Sequence, residues 1–146
     1  MKWHLTMVVS ACALVGADAR DAANKKDVEK WKGTWQVVSL ENDGKTAAAD
    51  QVAKMKLTVK GTDYHFQNGD LSEHGSYRFN AATDPKQLDI VVGDGPDKGK
   101  VYLVIYEVAD DRLSICLESA NKKRPTALAA PTGSGCVLEV WKRVKP

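Results

Sequence analysis

The chain is short of the side chains that most reactions need. Its 146 residues hold three histidines (His4, His65, His74) and three cysteines (Cys12, Cys116, Cys136). Nucleophilic catalysis needs a Ser or Cys with a base and an orienting group. No Gly-x-Ser-x-Gly elbow is present, and neither His65 nor His74 falls near Gly133-Ser134-Gly135. Asp94, Asp97, Asp110 and Asp111 all sit in turn patterns, where Asp favours the backbone geometry. DGPDKG lacks the calcium-loop spacing and is too short to cradle a phosphate. The chain therefore reads as non-enzymatic, with no cofactor and no metal. An excess of one charge is lacking too: 21 Lys and Arg face 19 Asp and Glu, a formal net charge of +2. The basic run Lys122-Lys123-Arg124 abuts Pro125 and reads as a solvated loop, so no nucleic-acid partner is expected.

A long apolar run is also missing. Residues 3–17, WHLTMVVSACALVGA, are interrupted by His4, Thr6 and Ser10. A membrane span needs roughly 20 apolar residues, so this stretch does not span. Lys2 ahead of it and Ala17-Asp18-Ala19 behind it give the pattern of a secretory signal peptide over 1–19. A polar linker would follow over 20–30, and the domain over 31–146. A competing reading takes Val9-Ser10-Ala11-Cys12 as a bacterial lipobox, with Cys12 acylated. Both readings place the domain outside the cytoplasm, secreted or periplasmic in the first case and membrane-anchored in the second. At this length the remainder holds one core.

What is present is β pattern with regular turn signals. Strands are expected over 33–41, 54–60, 64–67, 71–79, 87–92, 100–108, 112–118 and 136–143. KMKLTVK shows the alternation clearly: Met55, Leu57 and Val59 share one face and four polar residues the other. Residues 46–53 read as a short helix or lid. Before the first strand, DVEKWKG reads as one helical turn with Asp27 as its N-cap. Short connections favour antiparallel neighbours, and eight such strands can close into an up-and-down barrel that removes the exposed edges. A two-sheet sandwich is the alternative.

The stretch GTWQVVSL places a Trp one residue inside a strand start. In a closed barrel the first and last strands become neighbours, and antiparallel pairing brings Trp35 to Arg143. A guanidinium on an indole face contributes roughly 0.5–2 kcal/mol. Arg also carries donors for nearby carbonyls, and Gly33 lets the backbone turn closely under the ring. Gly33, Trp35 and Arg143 resemble the lipocalin (calycin) signature of G-x-W on the first strand and a basic residue on the last. Longer stretches extend the likeness: GTWQVVSLENDGK, GDGPDKGKVYLVIYEVADDRLSICL and KRPT…GSG…VWKRVK resemble an uncharacterised lipocalin-like family abundant in planctomycete bacteria. That family often carries a Phe after RPT, where this chain has Leu128. The resemblance implies the barrel fold and, by analogy, ligand binding.

Alternation assigns Leu57, Val59, Tyr64, Phe66, Tyr77, Phe79, Leu88, Ile90, Leu103, Ile105, Leu113 and Ile115 to the interior. Of these, Leu57, Tyr64, Phe66, Tyr77, Phe79, Leu103, Ile105 and Ile115 are the candidate ligand contacts for a small hydrophobic molecule. A barrel of eight strands either leaves room for one small ligand or is filled by its own side chains. In the filled case the outer face or the 119–135 loop would serve a protein partner. No polar residue is expected to point inward to orient a ligand. His65 and His74 face outward on adjacent strands. They are direct neighbours if the hairpin centres on Gly69-Asp70 and offset by two if it centres on Asn68-Gly69; Glu73 lies on the other face. Cys116 and Cys136 flank the long loop. They form a disulfide contributing roughly 3 kcal/mol, or else Cys136 is a small buried hydrophobe.

Overall fold

The computed structural model describes residues 12–146. Most of the stretch expected to be a signal peptide, 1–19, thus lies outside the described residues. Two helices and nine strands form among those described. Helix α1 (Cys12–Trp31) precedes β1 (Gly33–Asn42), the two-residue β2 (Lys45–Thr46) and the short α2 (Ala49–Val52). Then come β3 (Met55–Lys60), β4 (Asp63–Asn68), β5 (Leu71–Asn80), β6 (Lys86–Val92), β7 (Val101–Ala109), β8 (Arg112–Glu118) and β9 (Cys136–Arg143).

Every pairing is antiparallel, and β9 returns to pair with β1. The ring contains β1 and β3 to β9, eight strands in all, with β2 folded against the end of β1 outside it. This closure excludes the sandwich. A bulge between Val37 and Ser39 leaves Val38 unpaired and 52% exposed, which explains an apolar residue on the outside of β1.

One end of the barrel is sealed. Trp35 is fully buried and lies opposite Arg143 in the β1–β9 register. The Arg143 guanidinium carbon sits 4.2 Å from the Trp35 ring centroid. Its nitrogens donate to the carbonyls of Lys30 (2.7 Å), Lys32 and Asp110, and to the Asp111 carboxylate (3.1 Å). The Trp35 indole N–H donates to the Trp31 carbonyl at 2.8 Å. Gly33 has φ 124°, and a Cβ there would meet Arg143 Nη1 at 3.0 Å. The expected Trp–Arg pair is therefore present, and the glycine is required beneath it.

Helix α1 completes the seal and is longer than the single expected turn. Residues 17–32 contain no Gly or Pro and four Ala, so nothing interrupts a helix there. Asp27 is not an N-cap. It lies inside the helix, 1% exposed, and accepts hydrogen bonds from the Tyr106 hydroxyl (2.7 Å) and Lys86 Nζ (2.8 Å). Asn24 Oδ1 accepts the Ala81 N–H at 2.8 Å. Trp31 meets Tyr77, Phe79 and Tyr106 edge to face, with centroids 5.0, 5.4 and 5.2 Å away. The 20–30 stretch, polar as expected, is helical and docked rather than a linker in form. No helix among the described residues is long and apolar enough to cross a membrane.

Strand β7 corrects the sequence reading. Tyr102, Val104, Tyr106 and Val108 pack with the barrel core, while Leu103 and Ile105 point outward. Ile105 is nevertheless 1% exposed, because the 119–135 loop covers it. Its cross-strand neighbour Cys116 is fully buried there too, with Ala130 at 2%. Arg124 fastens the loop. Its Nη1 donates to the Leu88 (2.9 Å) and Val104 (2.6 Å) carbonyls, and its Nη2 pairs with Asp89 at 2.5 Å. The basic run is thus solvated at Lys122 and Lys123 but docked at Arg124. Alternation fails on β7 because both of its faces are covered.

Candidate functional site

The barrel end away from Trp35 opens onto a cavity of about 410 Å³. Depressions of similar size occur along α1 and beside the β1–β2 turn, but both lie on the outer surface. The barrel cavity is formed where the hairpin β4–β5, the 93–100 turn and the start of the 119–135 loop rise around the rim. Five of the candidate contacts line it: Leu57, Tyr64, Phe66, Tyr77 and Ile115. Their placement follows the register, with Leu57 opposite Phe66, Phe66 opposite Glu73, and Ile115 opposite Glu139. Phe79 instead belongs to the aromatic plug around Trp31. Leu103 and Ile105 lie outside the barrel wall, under the long loop, and are withdrawn as ligand contacts.

Polar groups do point inward, contrary to the sequence expectation. Tyr64 is stacked on Tyr77, with centroids 4.7 Å apart and planes 15° from parallel. Its ring lies over Gly75: a Cβ there would sit 2.6 Å from Tyr64 Cε1 and 2.7 Å from its hydroxyl. A residue without a side chain is therefore needed across from Tyr64. This placement lets the Tyr64 hydroxyl donate to Glu73 Oε1 at 2.8 Å. Burial, then the bond to Glu73, pushes the Tyr64 phenol pKa far up. Tyr77 is raised as well, first by burial and then by Tyr64, Glu139 and Glu73.

Glu139 is the second inward carboxylate. It shares the inner face of β9 with Trp141, whose indole N–H donates to Glu139 Oε2 at 3.1 Å. Burial raises its pKa from 4.5 to about 7, against the smaller lowering effect of that hydrogen bond. At the rim, Asp97 accepts from Lys100 Nζ (2.7 Å) and from the Tyr102 hydroxyl (2.9 Å). These bonds, Lys100 first, hold the Asp97 carboxyl below its ordinary value. Glu73 and Glu139 were both legible in principle: Glu73 shares parity with Tyr77, and Glu139 with Trp141 and Arg143.

The histidines are direct cross-strand neighbours on the outer face, because the hairpin turns at Gly69-Asp70. Their rings stack at 4.1 Å. His74 donates its backbone N–H to Asp94 Oδ1 (2.6 Å), and its ring Nδ1 lies 2.9 Å from Oδ2. That pairing, the backbone bond first, lowers the Asp94 pKa. His65 Nε2 meets Ser72 Oγ at 2.8 Å. Among the described residues no group of three or more His, Cys, Asp or Glu is arranged to hold a metal ion.

Cys116 and Cys136 are free thiols, not a disulfide. Cys116 stands opposite Leu138, and Cys136 opposite Glu118, so the two are diagonal rather than facing. Each thiol donates instead to a loop carbonyl, Cys116 to Ala129 (3.5 Å) and Cys136 to Ser134 (3.6 Å). Burial raises the Cys116 pKa to about 11. No family model matches the chain, and neither a curated protein nor a solved structure matches it.

Proposed function

We propose that the protein is an exported, lipocalin-like, non-enzymatic module that binds a small, partly apolar ligand in the open end of its barrel. One observation carries this reading: a cavity of about 410 Å³, walled by aliphatic and aromatic side chains and reached from one end only of a barrel whose other end is sealed. Pockets of this size with a few convergent polar groups are the usual form of a small-molecule site. Titration with Nile red, a neutral apolar fluorophore, tests it. Saturable one-site binding is expected, weakened at least about tenfold by Ile115→Trp, which fills the cavity. Unsaturable binding, or no effect of the substitution, would instead favour a structural domain that meets a protein partner through its outer face.

Export is the second half of the reading, and it rests on the leader pattern. The α1 residues that hydrogen-bond the barrel, Asn24 and Asp27, come after Ala19. Cleavage there would leave the plug intact. Mass spectrometry of the exported protein is expected to find Arg20 at the N-terminus; an acylated Cys12 would make it a membrane-anchored lipoprotein instead.

A further inference from the structure

Resting on that binding reading, we propose that the cavity selects an organic ammonium: an apolar body carrying a cationic amine head. The charged residues lining the cavity are Glu73, Asp97 and Glu139, and no Lys or Arg is among them. Asp97 is already paired with Lys100 at the rim. Glu73 and Glu139 are not: their hydrogen-bond partners are a phenol and an indole, both neutral. A desolvated carboxylate without a counter-charge is costly, and a bound cation offsets that cost.

Tyr77 adds a polar group to the same wall: it is 5% exposed and lines the cavity, and its hydroxyl, which makes no side-chain hydrogen bond, is open to the cavity rather than sealed from it. Glu73 and Glu139 line the same cavity as Tyr77, so the three groups face one space. Around them, Phe66, Tyr102 and Trp141 present aromatic surface. Aromatic faces attract ammonium groups, more so when water is excluded. An anion would meet two carboxylates and no cation. A neutral ligand would leave both uncompensated.

The test compares three molecules with one apolar body: naphthylmethylamine, naphthylmethanol and naphthoic acid. Binding to the purified protein is measured by calorimetry at about pH 8, above the Glu139 value of about 7. The amine is expected to bind at least about tenfold tighter than the alcohol, with the acid weakest. Glu139→Gln and Glu73→Gln are each expected to close most of the gap between amine and alcohol, with a cooperative melt marking the variant as folded. Equal binding of amine and alcohol, or tightest binding of the acid, overturns the ammonium class and leaves the binding module standing. So does an amine preference that survives both substitutions. If none of the three binds, the binding reading falls and this inference with it. Should a variant fail to fold, the three-ligand comparison on the unaltered chain decides alone.

Discussion

Arg143 ties together three segments that are distant in sequence. Its guanidinium covers Trp35 and donates to the end of α1 and to the Asp110-Asp111 turn. The stacking contributes roughly 0.5–2 kcal/mol, and a hydrogen bond to a charged group roughly 1.5–3 kcal/mol net of its exchange with water, less at a partly exposed site such as this one. Arg143→Ala is therefore expected to lower unfolding stability by about 2–4 kcal/mol, read as a fall in the guanidinium midpoint at unchanged slope. Arg143→Lys should recover less than half, because a point charge cannot both stack and fork to several carbonyls. An effect below about 0.5 kcal/mol would show that the seam holds without its clamp. This pair was readable from sequence because it needs only strand order and parity. Glu73 and Glu139 were less readable: parity places them inside, but the expectation that carboxylates stay in water argues against it. What reverses that expectation is a roomy cavity, which no single strand reveals.

At the level of elements, strands were legible wherever one face meets the core and the other meets water. Met55 to Lys60 is such a strand, buried and exposed by turns. β7 is not, since Ile105 and Val104 are both buried on opposite faces. Its outer cover, the 119–135 loop, has no periodicity to announce it. Arg124→Ala should loosen that cover. In the native protein Cys116, buried and with a pKa of about 11, is expected to resist iodoacetamide, since only about a thousandth of it is thiolate near pH 8. In the variant, peptide mapping should find Cys116 alkylated many times faster, and unchanged protection would mean the loop is held by its apolar contacts alone. Helix α1 escaped the sequence reading for a different reason. Its docked side is made by polar residues, Asn24 and Asp27, with Trp31 alone supplying bulk. Asp27→Ala removes the acceptor of Tyr106 and Lys86 together. A loss of about 2–4 kcal/mol is expected, with new tryptic cleavage at Lys25, Lys26 or Lys30 as the helix lifts away. A stability loss without such cleavage would place the damage in the barrel wall rather than at the plug.

Taken as a whole, the barrel has two unlike halves. Trp31, Trp35 and their aromatic neighbours fill and floor the sealed half, and the open half keeps a cavity bordered by Trp141 and by unpaired carboxylates. A binding site of this kind should reduce stability, and Glu139 shows where. Its pKa is about 7 in the fold and 4.5 ordinarily, so between these values the native state holds more protons than the unfolded chain. Stability then falls as pH rises, because its slope follows the protons bound unfolded minus those bound native. The contribution is fully present below about pH 4.5 and lost by about pH 7. Discounted for water at the cavity mouth, the loss is about 1–3 kcal/mol. Asp94 and Asp97 act oppositely and lower down: their depressed values stabilise the fold above the ordinary carboxylate range and fail only in acid. Glu139→Gln keeps an acceptor for the Trp141 indole while removing the charge. Urea midpoints measured across this window should therefore decline for the native sequence and stay flatter for the variant, which becomes the more stable of the two at neutral pH. Parallel curves would mean that water already solvates Glu139 in the open half. If the curves diverge as expected, the substitution that strengthens the fold is also the one expected to cost the cavity its preference for a cation. Stability and binding would then oppose each other at a single carboxylate.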